Sequence, residues 1–97
     1  MTLKLFIAGR SERSERAIAD ARRICTRDYG EKCELLIVDV LEDPAQAERS
    51  HILATPTLIK EEPEPARRAV GDLADIEQVM AALGLISNKL KEINGTD

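Results

Sequence analysis

The segment Ile52–Lys60, ILATPTLIK, decides the fold. It places a proline at the mouth of a short apolar run. Proline donates no hydrogen bond to a sheet ladder and is confined to strand starts, edges and bulges. Pro56 therefore marks where a strand begins, and Thr57–Lys60 is that strand. The rest of the organisation follows by working outward from this point in both directions.

Immediately upstream, Asp43-Pro44-Ala45-Gln46 opens a short helix that runs to about Ser50 or His51. Asp43 can cap, Pro44 suits the first helical position, and Gln46 stands where a capping box needs it. Before it, Cys33–Leu41 (CELLIVDVL) is dense in Leu, Ile and Val and reads as a strand. Leu3–Ala8 is apolar apart from Lys4, the pattern of a strand buried on both faces. Gly9-Arg10 break it, and Ser11 is an N-cap for the next helix. That helix carries an apolar stripe, Ala17, Ile18, Ala21, Ile24 and Cys25, at helical offsets. Its other face mixes Glu12, Arg13, Glu15, Arg16, Asp20, Arg22, Arg23 and Arg27, a solvated face with Glu12 and Arg16 four apart in the favourable order. Tyr29-Gly30 end it.

Downstream of the deciding segment, Glu61–Pro65 holds two prolines and three acids and reads as a loop. Ala66–Val70 is a fourth short strand, and Gly71-Asp72 turn the chain. Asp75 caps a last helix with Gln78 three residues on. Its stripe is Ile76, Val79, Met80 and Leu83, with Gly84 as the stop. Residues 1–86 form one domain, and the tail from Ser87 to Asp97 is polar and frayed.

Composition narrows function by exclusion. The chain has 97 residues, 43% hydrophobic and 33% charged, which suits one small globular domain. Its only aromatics are Phe6 and Tyr29, and its formal charge is −4, so neither base stacking nor phosphate binding is provided for. No apolar run approaches the ~20 residues that span a bilayer. The first residues read as a strand rather than a signal peptide, which predicts a cytoplasmic protein. Cys25 and Cys33 form no C-x-x-C, and His51 is the single histidine, so no metal site is expected. Two free thiols are expected instead, with Cys25 a small buried core residue. No phosphate loop, cofactor motif or nucleophile–base pair is visible, and no enzyme is expected.

The order is β-α-β-α-β-β-α. A helix of ~18 residues between the first two strands implies a right-handed parallel crossover. The last two strands, joined by a short loop, make an antiparallel hairpin. This is the layout of the thioredoxin fold, an α/β fold with a mixed four-stranded sheet. That fold keeps a proline, usually cis, just before its third strand and facing the active-site loop. Thr55-Pro56 falls there. In that loop Ser11 and Ser14 hold the C-x-x-C spacing without sulfur, so a dithiol redox protein is disfavoured.

The sequence resembles the KaiB family of circadian clock proteins. The carrying stretches are LKLFIAG (3–9), IVDVLEDPAQAE (37–48), ILATPTLIK (52–60) and the run from Pro63 through ARRAVGDL to Leu73. The resemblance implies a non-catalytic adaptor that binds the N-terminal ATPase ring of a KaiC-type hexamer, with KaiA-like or histidine-kinase partners as further possibilities. It implies a metamorphic chain with two states, a thioredoxin-like monomer and a differently wired tetrameric ground-state fold. Ala81-Ala82 replace a familiar Ile-Gly, and Gly84 replaces an Asp, which favours the last helix and hence the monomeric state. Pro56, Pro63, Pro65, Ala82 and Gly84 are the expected fold-state determinants. By resemblance, ring contacts are expected from Gln46, Glu48, His51, Ala54, Thr55, Pro56 and Lys60, with Arg67 and Arg68 able to pair with acids of a partner. Leu36, where cyanobacterial members have a lysine tied to KaiA contact, together with His51 and Glu64, depart from the family pattern. They point to KaiC binding without KaiA recruitment, outside the timing oscillator. The alternative within the same fold is the sensor domain of a SasA-like histidine kinase.

Overall fold

The structure is a computed structural model that describes residues 1–28 and 32–85. Its elements are β1 (Thr2–Ile7), α1 (Glu12–Asp28), β2 (Glu34–Asp39), α2 (Pro44–Arg49), β3 (Thr57–Glu62), β4 (Arg67–Val70) and α3 (Ile76–Ala82). They form one sheet in the order β2-β1-β3-β4. β1 runs parallel to β2 and antiparallel to β3, and β4 pairs antiparallel with β3. The βαβαββα order and mixed sheet are those expected.

Strand alternation divides the core in two. Leu3, Leu5 and Ile7 of β1, Leu58 of β3 and Ala69 of β4 point to one face. There they meet the inner stripes of α1 (Ala17, Ile18, Ala21, Ile24) and α3 (Val79, Met80, Leu83). Phe6, Val38 and Ile59 point the other way, where Val40 and Ile52 pack on them. Each large side chain buried this completely contributes about 1.5–3 kcal/mol. The second cluster is small, so this face is the thinly covered side of the sheet.

The helix ends are set by local chemistry. Ser11 Oγ accepts from the Ser14 amide at 3.1 Å, and Asp75 from the Gln78 amide at 3.2 Å. Asp43 accepts from both the backbone and side-chain nitrogens of Gln46, each at 3.1 Å, so the glutamine reaches the capping carboxylate itself. At the end of α3, Gly84 (φ +74°) donates to Ala81 O and Leu85 to Met80 O, closing a Schellman motif. The Thr55–Pro56, Glu62–Pro63 and Glu64–Pro65 peptide bonds are cis.

Four local expectations are corrected. β2 ends at Asp39 rather than Leu41, because the Asp39 carboxylate accepts from the amides of Gly9 (2.9 Å) and Leu41 (3.0 Å) and turns the chain. β3 continues to Glu62, two residues past Lys60, because Glu62 pairs with Thr2. Among the described residues Glu12 and Arg16 make no ion pair; Glu15 is taken by Arg10 at 3.1 Å. The cysteines are not free thiols: Cys25 and Cys33 are joined as a disulfide, with Cα atoms 5.4 Å apart. The inner stripe of α1 turns Cys25 towards the head of β2, where Cys33 stands. The helix end at Tyr29-Gly30 and the polar tail from Ser87 lie outside the described residues.

Candidate functional site

The thinly covered face carries a groove of about 570 Å³ between the end of β2, α2 and the segment leading to Pro56. Its floor is apolar: Val40, Ala47 and Ile52, with Pro44 at one end. Glu48, His51, Leu53, Ala54 and Thr55 complete the wall. Leu53 is 98% exposed and Leu41, nearby in sequence to Val40, is 72% exposed. Isolated exposed leucines are ordinary, but Leu53 lines an open apolar groove, the pattern of an interaction surface.

His51 shapes the groove by an unusual backbone. α2 closes in a second Schellman motif, with His51 donating to Glu48 O and Ile52 to Ala47 O. The residue at the left-handed position is His51, at φ +54°, where glycine is preferred. A non-glycine residue there is uncommon, although histidine is one of the types enriched in that conformation. The motif is held from beneath by Arg68, whose guanidinium donates to Ser50 O at 2.9 Å and His51 O at 3.2 Å. The Asp43 carboxyl at the other end of α2 is held below its ordinary value, first by the Gln46 side chain, then by the Gln46 amide, with Arg49 adding a smaller attraction.

The structure gathers some of the expected contact residues and separates others. Glu48, His51, Ala54 and Thr55 meet at the groove. Gln46 is engaged with Asp43. Pro56 is buried behind Thr55. Lys60 is withdrawn from the expected surface: it shares the α1/α3 side with Leu58 by strand alternation, is 4% exposed, and donates to Pro63 O at 2.9 Å. Arg68 is occupied by α2, and Arg67 lies against Gly84, where an added Cβ would stand 3.0 Å from Arg67 Cδ. Val40, Pro44, Ala47, Ile52 and Leu53 were not anticipated. The available signal was Leu53, an apolar residue in the short turn between a helix stop and a proline.

Adjoining the groove at Thr55 and beside Pro56, Ser11 and Ser14 stand at the start of α1 with the C-x-x-C spacing. Ser11 Oγ donates to Ser14 Oγ at 3.2 Å, and both line a small cleft with Thr55 and Pro56. Hydroxyls at these positions cannot exchange disulfides. Among the described residues no group of three or more His, Cys, Asp or Glu could hold a metal ion, and no helix is long and apolar enough to cross a membrane.

The family model of the KaiB domain matches residues 4–85. The chain belongs to the KaiB family. It is 43% identical to the circadian clock protein KaiB3 of Synechocystis sp. over 94% of this chain and 89% of that protein. It is 44% identical to the circadian clock oscillator protein KaiB of Prochlorococcus marinus over 93% of this chain and 77% of that protein. In shape it is similar to the N-terminal domain of Synechococcus elongatus SasA, with a TM-score of 0.68, 20% identity, and 82% of this chain and 75% of that chain covered. It matches thioredoxin 1 of Thermosipho africanus with the same TM-score of 0.68 at 17% identity, over 98% of this chain and 99% of that chain. These two likenesses establish a thioredoxin-like fold for this chain, in which the loop after β1 carries Ser11 and Ser14 rather than a C-x-x-C.

Proposed function

We propose that this KaiB-family chain is a non-catalytic, cytoplasmic adaptor that rests as a thioredoxin-like monomer and docks on the N-terminal ATPase ring of a KaiC-type hexamer. The docking surface is the groove walled by Glu48, His51, Leu53, Ala54 and Thr55. The observation that carries this reading is His51. A side chain is kept at φ +54°, where glycine would cost less, and that side chain lines the groove. Backbone strain of this kind collects where a surface is used. Family membership supports the partner class. Leu36, 40% exposed on β2, presents an apolar side chain where the family resemblance leads one to expect a lysine for KaiA contact, and we read this as ring binding without KaiA recruitment.

The competing reading, a kinase sensor domain, rests on a 20% identical likeness to SasA, whereas the KaiB relatives reach 43–44%. Size-exclusion chromatography with KaiC-type hexamers in ATP-bound and post-hydrolysis states tests the proposal. Co-elution with the ring, stronger after hydrolysis, is expected. Separate elution in both states contradicts it.

A further inference from the structure

Cys25 and Cys33 are the chain's two cysteines, and the structure joins them. They lie far from Ser11 and Ser14: Cys25 is eleven residues beyond Ser14 on α1, about 16 Å along the helix axis. The two sulfurs differ in access. Cys25 is 4% exposed within the main core, whereas Cys33 stands one residue ahead of β2 and is only partly buried against that core. β2 is an edge strand, paired on one side by β1 and open on the other, with Leu36 and Ile37 exposed along it. The bond therefore ties the end of α1 to the head of an open edge. Its separation of eight residues makes a short covalent loop.

We propose that Cys25–Cys33 is a reversible thiol–disulfide exchange site for low-molecular-weight thiols of the glutathione class, and that oxidation there staples the head of β2 to α1. The inference is independent of ring docking. It rests on the cytoplasmic placement proposed above, because in a reducing compartment a cysteine pair that bonds is characteristically transient or redox-sensing rather than a permanent staple. For cleavage, an external thiolate attacks Cys33 Sγ, the more accessible sulfur. The Cys25–Cys33 bond breaks, and its electron pair leaves on Cys25 Sγ, which takes a proton from water. A second external thiolate then displaces Cys33 from the mixed disulfide. The products are two protein thiols and one small-molecule disulfide, so two electrons enter the protein. Oxidation runs the same steps backwards: the Cys33 thiolate attacks the small-molecule disulfide, and Cys25 expels the second thiol. Closing a loop of this length constrains the unfolded chain, and reduction is expected to lower the melting temperature by roughly 10–20 °C.

The test uses the whole chain, equilibrated in mixtures of reduced and oxidised glutathione and quenched with an alkylating reagent. Intact mass then counts free thiols, and a melt is recorded at each mixture. The expected result is a passage from two free thiols to none within the range of mixtures, with the melting temperature rising in step. A pair still bonded in the most reducing mixture is a permanent staple, and a pair still free in the most oxidising one does not form; either overturns the proposal. Access order is read from single variants. Cys25→Ala leaves Cys33 and is expected to take up one glutathione, whereas Cys33→Ala leaves the buried Cys25 unmodified in the folded state. The reverse pattern overturns the route of attack. Should Cys25→Ala fail to fold, the wild-type titration still decides reversibility, and Cys25→Ser reads the access order in its place.

Discussion

Gly84→Ala is the substitution whose cost the structure specifies most fully. Gly84 has φ +74°, and it completes the Schellman motif that stops α3. An L-residue in the left-handed region costs roughly 1–2 kcal/mol. The new Cβ would stand 3.0 Å from Arg67 Cδ and 3.1 Å from Arg67 Nε, so the arginine must swing away from the helix end. That displacement adds a few tenths of a kcal/mol, about the size of an exposed helix-terminus charge interaction. The smaller entropy of an unfolded chain with alanine offsets about 0.5 kcal/mol. The net loss is about 1–2 kcal/mol, a fall in melting temperature of roughly 5–15 °C for a domain of this size. Thermal denaturation followed by circular dichroism, with the cysteines held in one redox state, measures it. In an Arg67→Ala background the steric part disappears and the conformational part, about 1 kcal/mol, persists. A Gly84→Ala protein that melts at or above the wild-type temperature would refute the reasoning, because α3 would then not depend on its glycine stop.

The same argument with reversed sign applies to His51→Gly. Relief of the left-handed histidine at φ +54° is expected to raise the melting temperature by about 4–8 °C while weakening ring docking; a lower melting temperature contradicts it. Arg68→Ala removes the donor to Ser50 O and His51 O and should cost about 1 kcal/mol, with faster amide exchange at His51 and Ile52. Unchanged exchange there would show that Arg68 does not hold α2. Lys60→Met replaces a buried ammonium by an apolar chain of similar length and is expected to be neutral or stabilising in chemical denaturation; a loss above about 1 kcal/mol would show that the bond to Pro63 O outweighs charge burial. Asp43 has its carboxyl held below 3.8, so its stabilisation of α2 is complete above that pH and is lost as pH falls through the lower, folded-state value. The Gln46 amide shift should titrate with a midpoint below 3.8, and the transition should vanish in Asp43→Asn, which still caps; a midpoint at or above 3.8 contradicts this.

What the sequence made legible was whatever its chemistry states locally. Ser11, Asp43 and Asp75 cap because each is followed at the right spacing by an amide to accept from, and all three caps form. Pro56 marks the start of β3 because proline cannot sit within a ladder, and Gly84 stops α3 for want of a Cβ. The candidate groove was only partly legible. Glu48, His51, Ala54 and Thr55 are neighbours in sequence and remain so in space. Lys60 was misplaced although the signal was present: strand alternation puts it beside Leu58, on the core side that α1 and α3 cover. The disulfide was invisible because it depends on how the inner stripe of α1 meets the head of β2, a tertiary fact that no local spacing encodes. Arg67 and Arg68 were both read as able to pair with acids of a partner, and the structure gives each an intramolecular neighbour instead. Which carbonyls or helix ends lie within reach of each is decided by the turn of α2 and α3, not by the strand that bears them.

The central claim is that the groove beside α2 is the face that meets a KaiC-type ring. Hydrogen exchange of the chain, free and bound to post-hydrolysis hexamers, tests it most directly. The predicted result is protection confined to residues 40–55, around Val40, Ala47, His51 and Leu53, with the outer charged face of α1 unchanged. Protection of α1 with residues 40–55 exchanging as in the free chain would contradict it.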